Sequence, residues 1–241
     1  SSPDFPTVST ATGKDALKGG YDILLVKLNA AGTNLIGSRL IGGSSNDGVN
    51  IAPKYSNNIV PMGQSYLRVK YGDDGRSEGS LDNADKVYLA SCTQYTDFFL
   101  TPNACQITNA GMQDGVFIKT NADLSTILAS TYLGGNRNDA AFALALNPTN
   151  NDVYIAGGTS SNNFPGTANG TVISATYNGA IDGFLSIVSN DGGTLRKTSY
   201  LGTTGTEVLY GVQFDNLGFP YIMGTTTGDS PIINAAFSQA E

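Results

Sequence analysis

Between residues 141 and 146 the chain sets Phe142, Leu144 and Leu146 on one face of a strand and Ala141, Ala143 and Ala145 on the other, because side chains alternate across a strand. Both faces are apolar, one large and one small. A sheet with one face in water would alternate apolar with polar, so the pattern predicts a strand sandwiched between two neighbouring sheets. The run Tyr210, Val212, Phe214, with Gly211 and Gln213 opposite, keeps the large face and loosens the small one. Around the first run lie other short strand-like runs, at about 115–120, 127–133 and 153–157, divided by turn residues. Together these four predict one four-stranded antiparallel sheet per repeat, and no helix of any length.

Three landmarks recur in fixed order, the self-similarity of a repeat architecture. Tyr132-Leu-Gly-Gly135 returns as Tyr200-Leu-Gly-Thr203 and is preceded by Leu40-Ile-Gly-Gly43. Val153-Tyr-Ile-Ala-Gly-Gly-Thr159 returns from Pro220 and is preceded by a copy from Val87, which places Tyr88, Tyr154 and Tyr221 66 and 67 residues apart. An Asp opens a hydrophobic run at Asp22, Asp114 and Asp182. The first of those intervals is 92 and the second 68, so about two dozen extra residues sit in the first copy. An aromatic–proline marker accompanies the repeat at Phe5-Pro6, at Phe98-Phe99 without the proline, and at Phe164-Pro165, where the ring is expected to plug the gap between sheets.

Repeated four-stranded sheets that pack face to face around an axis make a β-propeller. A tandem row of sandwich domains is the rival, but such domains run to about 100 residues, longer than this period. The expected fold is therefore all-β, a propeller with about three blades present: about 21–92 with an insertion at 49–71, about 111–161, and about 181–228, with 229–241 opening the next blade. Propellers close with typically four to eight blades, so three predict an incomplete ring and a chain that continues.

The combination Asp182-Gly-Phe184, Tyr-Leu-Gly-Gly before an Asn/Asp-rich turn, Val-Tyr-Ile-Ala-Gly-Gly-Thr-Ser-Ser and Phe-Pro resembles the SBBP-type, seven-bladed β-propeller repeats. The segment from Gly72 to Glu78 is similar to the propeller region of proteins with a gliding-motility-type C-terminal sorting domain. The resemblance implies a large secreted or cell-surface bacterial protein, of the Bacteroidetes, exported by type IX secretion. It speaks to fold more than to activity, since the shared residues are strand and turn positions.

Composition narrows the partners. A net charge of −7 with scattered basic residues argues against nucleic acid and anionic membranes, and no stretch is apolar enough to span a bilayer. With no histidine, Ser-His-Asp and Cys-His catalysis and the usual zinc sites are excluded. Among the 20 acidic residues no carboxylate shows a partner at an informative spacing, so no glycosidase pair is expected. Asn46, Asp47 and Asp139, in the turns after Leu-Gly-Gly, carry the oxygen donors that Ca²⁺ takes; they are equally ordinary turn residues, as are Asp73-Asp74. Ser189 to Gly193 resembles the start of an Asp-box but lacks its aromatic, and reads as a hairpin turn. Cys92 and Cys105, 13 apart, either close a disulfide or stand as a buried small residue and a loop thiol.

The insertion at 49–71, the least repetitive and most tyrosine-rich stretch, supplies the binding candidates Tyr55, Tyr66 and Tyr71; a strap over a blade edge explains it as well. The expected role is a non-catalytic extracellular module, scaffold or adhesin, whose partners are proteins or polysaccharides at the cell surface and the rest of its own chain. A glycan-binding or glycan-active propeller, and a component or cargo of a secretion or motility assembly, are the alternatives.

Overall fold

The computed structural model describes residues 18–49 and 77–228. Among these residues it is all-β with no helix: β1 (Ile23–Leu28), β2 (Leu35–Ile41), β3 (Glu78–Leu81), β4 (Val87–Thr93), β5 (Asp114–Thr120), β6 (Ile127–Leu133), β7 (Asp139–Leu146), β8 (Val153–Thr159), β9 (Asp182–Val188), β10 (Leu195–Leu201), β11 (Glu207–Phe214) and β12 (Pro220–Thr226). Every ladder is antiparallel and joins strands consecutive in the chain.

The ladders divide the chain half a repeat out of phase with the expected units. β3 to β6 form one four-stranded sheet and β7 to β10 another, while β1–β2 and β11–β12 are two-stranded. The stretch 111–161 thus straddles two sheets. The reason lies in the connections. The Asn- and Pro-rich stretch after Thr93 reads as a linker between sheets, yet it joins strands that pair directly, Thr93 opposite Asp114. The short step from Leu133 to Asp139 is the one that leaves a sheet.

The sheets stack face to face. Ile23 and Ile41 pack with Leu89, Val116 and Ile118 of the first four-stranded sheet. The opposite face of that sheet, through Tyr88, Ala90 and Phe117, meets Leu144, Ile155 and Phe184 of the second. The far face of the second, through Ala143, Ala156 and Leu185, meets Leu209 and Val212 of β11. Each four-stranded sheet is covered on both faces, as the two apolar faces of residues 141–146 require.

One detail of that strand differs. Opposite β8, Ala141 pairs with Gly157 and Ala143 with Ala156, which leaves Phe142 as the extra residue of a β-bulge. The bulge breaks the alternation, so Phe142 packs with Cys92, Ile181 and Val208 while Leu144 joins the other interface. Tyr210 occupies the same bulge in β11, between Leu209 and Gly211.

The bulge also explains where the insertion enters. Asp47 bridges Thr93 as Asp139 pairs with Thr159, and the Gly48 amide donates to the Cys92 carbonyl at 2.8 Å. The ladder resumes with Glu78 opposite Ala90, the counterpart of Ala143 opposite Ala156. The first strand of this sheet is therefore split into 47–49 and 77–81, and the extra residues leave it where its copies bulge. A ladder already interrupted there loses no further hydrogen bond to the excursion.

Phe98 and Phe164 are the plugs their recurrence suggests, 4% and 1% exposed. Each lies between successive sheets and is held from its backbone. The Phe164 amide donates to the Tyr200 hydroxyl at 2.9 Å, which donates to the Ser161 carbonyl at 2.8 Å; Phe98, Tyr132 and Tyr95 repeat the relay. The tyrosine of Tyr-Leu-Gly-Gly is thus the clamp on the plug. Phe164→Ala is expected to cost about 3–5 kcal/mol, read as a drop in the urea unfolding midpoint, because the ring fills a site that cannot collapse between two sheets. A change below about 1 kcal/mol would show that the ring is not a plug.

Candidate functional site: carboxyl pairs at the sheet junctions

At each passage from one sheet to the next, two acids come together. Their partners are Asp22 with Asp47, Asp114 with Asp139, and Asp182 with Glu207, and in all three the second lies 25 residues after the first. Parallel bridges just ahead of the acids hold them: Tyr21 with Asn46, Gln113 with Asn138, Ile181 with Thr206. The amide of each second acid donates to the bridged carbonyl, Asp139 to Gln113 at 2.8 Å and Glu207 to Ile181 at 2.9 Å. The first acid opens the third strand of one sheet; the second opens, or bridges at, the first strand of the next.

The hydrogen bonds repeat with the same atoms. Each first acid accepts at Oδ2 from the amide four residues earlier, at 3.0 Å from Lys18, 2.9 Å from Ala110 and 2.9 Å from Asn178. Each second acid accepts from the amide four residues earlier, at 2.7 Å from Gly43, Gly135 and Thr203. Hydroxyls of the adjoining strand complete the set: Thr159 and Ser161 donate to Asp139, and Thr226 donates to Glu207.

The glycine of Leu-Gly-Gly makes room for the pair. A Cβ on Gly134 would stand 2.7 Å from Asp114 Oδ1 and 2.9 Å from Asp139 Oδ2, and one on Gly42 would collide with the same two atoms of Asp22 and Asp47. Both oxygens therefore face the space over the glycine. Asp22 Oδ1 and Asp114 Oδ1 accept no hydrogen bond there.

Burial sets the electrostatics of these acids. Burial pushes Asp114 up to about 7, and the Asp139 carboxylate adds to the push. Burial pushes Asp139 up to about 6. Asp47 is raised to about 6 by burial, with smaller contributions from Asp22 and Asp97, and Asp182 is raised by burial and then by Glu207. Asp114, Asp139 and Asp182 are wholly buried, so these acids face one another and not solvent.

The pairing overturns the expectation that no carboxylate has a partner at an informative spacing. The constant interval of 25 is the signal, and it is present in the sequence. It runs between two different landmarks, the Asp that opens one run and the acid beyond Leu-Gly-Gly, and it is hidden because one partner is Glu. The proposed calcium donors are divided accordingly: Asn46 and Asp47 belong to one junction and Asp139 to another. The Asp139 oxygens are taken by Gly135, Thr159 and Ser161. Among the described residues no group of three or more His, Cys, Asp or Glu is arranged to hold a metal ion.

Cys92 and Cys105 are free thiols, so the disulfide is not formed. Cys92 is buried with Ala140 and Phe142, and burial pushes its thiol up to about 12. Cys105 packs against a different cluster, with Thr131 Oγ1 at 3.4 Å, because the connection after β4 doubles back onto β6. The candidates Tyr55, Tyr66 and Tyr71, with Asp73 and Asp74, lie outside the described residues.

The Ser189–Gly193 segment is a turn, closed by Gly192 onto the Ser189 carbonyl at 2.9 Å. It does more than turn: Asn190 reaches the neighbouring sheet, donating to the Tyr88 hydroxyl at 3.0 Å and accepting from Lys119. Nothing in the sequence marks that contact, which joins residues about 70 and 102 positions apart.

No protein-family model matches the chain. No curated protein matches it either.

Proposed function

We propose that the stacked sheets are consecutive blades of a β-propeller, and that the chain is a non-catalytic, extracellular module of a large secreted or cell-surface bacterial protein, serving as scaffold in adhesion or protein interaction. The observation that carries this reading is the use to which the acids are put. In three junctions the carboxyls are turned inward, matched to turn amides and hydroxyls of their own repeat, and spent on joining one sheet to the next. Acids used this way hold a repeat array together, and those of the two later junctions are closed to a substrate. The propeller reading is supported by face-to-face stacking of four-stranded sheets, with β3 and β11 both beside β7.

Recognition then falls to the stretch that breaks the repeat, rooted between Val49 and Ser77. Joining Val49 directly to Ser77 leaves Asp47-Gly48-Val49-Ser77-Glu78-Gly79-Ser80-Leu81, eight residues like β7 and β11. The excised variant is expected to fold with its unfolding midpoint unchanged within about 0.5 kcal/mol, the size of a surface change. Both proteins would be tested for binding and turnover on arrays of cell-surface polysaccharides and on whole cells. Binding present in the intact chain and absent from the excised one supports the reading. Turnover of a polysaccharide that disappears in Asp114→Asn would replace it with the glycan-active alternative.

A further inference from the structure

Where the two complete sheets meet, an amine, an amide, a phenol and a carboxylate stand in line. Lys119 of β5 is 7% exposed, and its ammonium lies 4.9 Å from the Tyr88 ring centroid. Its Nζ donates to Oδ1 of Asn190, in the turn between β9 and β10 of the next sheet, and to the Asn190 carbonyl at 3.3 Å. Asn190 Nδ2 donates to the Tyr88 hydroxyl at 3.0 Å and to the Asn151 carbonyl at 2.9 Å. The Tyr88 hydroxyl in turn donates to Asp82 Oδ2 at 3.0 Å. The carboxamide is thus fixed from both ends, with the amine against its oxygen and the phenol against its nitrogen.

The preceding junction shows what a lysine does at this place without a side-chain amide. Lys27 has the position in β1 that Lys119 has in β5, and it donates to the Ala122 carbonyl at 2.9 Å, in the turn between β5 and β6. Bridging two sheets needs no more than that. At the later junction the bond to the turn carbonyl lengthens to 3.3 Å and Nζ has moved onto the carboxamide that Asn190 brings. Burial lowers the proton affinity of Lys119, and Lys86 adds to this against the opposing pull of Asp82 and Asp191, which favours the neutral, nucleophilic amine.

We infer that Lys119 and Asn190 condense into an isopeptide bond that ties the two sheets together. The Nζ of the free amine attacks Asn190 Cγ; the Nζ–Cγ bond forms and the Cγ–Nδ2 bond breaks. One proton of the attacking nitrogen ends on the departing one, relayed by the Tyr88 hydroxyl that already accepts from Nδ2, while Asp82 holds that hydroxyl in place. The products are one secondary amide and one ammonia. The step needs no oxidant and no cofactor, and the fold makes it unimolecular by holding the two groups in contact. The tie joins positions 71 apart, in a chain whose two cysteines are free and supply no covalent link of their own.

The test is the intact mass of the purified 241-residue chain. It is expected to fall short of the sequence mass by one ammonia, and a protease digest to yield a branched peptide joining Lys119 to Asn190. Lys119→Arg and Asn190→Ala are each expected to show the full mass of their own sequence. Tyr88→Phe, which keeps the ring and removes the relay, is expected to link about a hundredfold more slowly, the low end for a positioned proton-transfer group. A natural chain at its full sequence mass overturns the proposal. So does an ammonia lost within a peptide that lacks Lys119, which would place the loss at Asn169-Gly170 or Asn178-Gly179 as a succinimide.

Discussion

Gly134→Ala is expected to lower the stability of the fold by about 3 kcal/mol or more, the upper range for forcing an atom into a packed site. The added methyl would meet Asp114 Cγ at 2.6 Å and the oxygens of both acids within 3 Å. Neither carboxyl can swing away, since Asp114 is tied to the Ala110 amide at 2.9 Å and to Gln106 Nε2 at 3.0 Å, and Asp139 to Gly135, Thr159 and Ser161. Gly42→Ala and Gly202→Ala are expected to behave alike. Gly79→Ala, in β3 with only the Tyr88 carbonyl within reach at 3.7 Å, is the control, expected to stay within about 0.5 kcal/mol. Urea unfolding of the four variants measures the difference. Equal effects at Gly134 and Gly79 would mean that the first glycine of Leu-Gly-Gly serves backbone freedom and not the acid pair.

That glycine illustrates what the sequence carried and what it withheld. Its recurrence made the repeat visible, and repeat, strand content and double burial of residues 141–146 were all legible from period and alternation. The phase of the sheets was not. Landmarks at a fixed interval set the length of a unit but are indifferent to where hydrogen bonding is cut, and the chain pairs β4 with β5 across its longer connection. Alternation likewise could not foresee the bulge, because the extra residue, Phe142 or Tyr210, is as apolar as its neighbours. The acids were legible one at a time, as an Asp that opens a strand and an Asp or Glu in a turn. Bringing them together needs the parallel bridge between Gln113 and Asn138, which no local pattern announces. Cys92 and Cys105 stayed open between two readings for the same reason: 13 residues fits a disulfide loop, and only the fold shows them entering different clusters.

Stability of the protein is expected to rise as pH falls from 8 to about 5, the reverse of the usual behaviour of proteins held by ion-paired carboxylates. Asp114, Asp139 and Asp47 have folded pKa values raised to about 7, 6 and 6 from an ordinary 3.8, so between these values the folded state binds protons that the unfolded state does not. Stability therefore falls as pH rises through the folded values and is fully present only below the unfolded one. At about 1.36 kcal/mol per unit, the change across pH 8 to 5 is on the order of a few kcal/mol, with the two acids of each junction titrating as a pair. The hydroxyls and the thiol beside these acids do not titrate in the window: those of Tyr132, Tyr200 and Cys92 are pushed up to about 12 by burial. Below about pH 4 the trend is expected to turn over, because Asp82, Asp123 and Asp191 are lowered by the hydrogen bonds they accept and lose them on protonation. Asp114→Asn isolates the effect. Its amide stays uncharged across the window, and the remaining oxygen keeps the Ala110 amide. The variant is expected to be more stable than the natural chain at pH 8 and nearly level with it at pH 5. Urea midpoints at four pH values, at constant ionic strength with a chelator present, decide the matter; a midpoint that climbs from pH 5 to 8, or an Asp114→Asn chain weaker at pH 8, would show that the acids are ionised throughout the window.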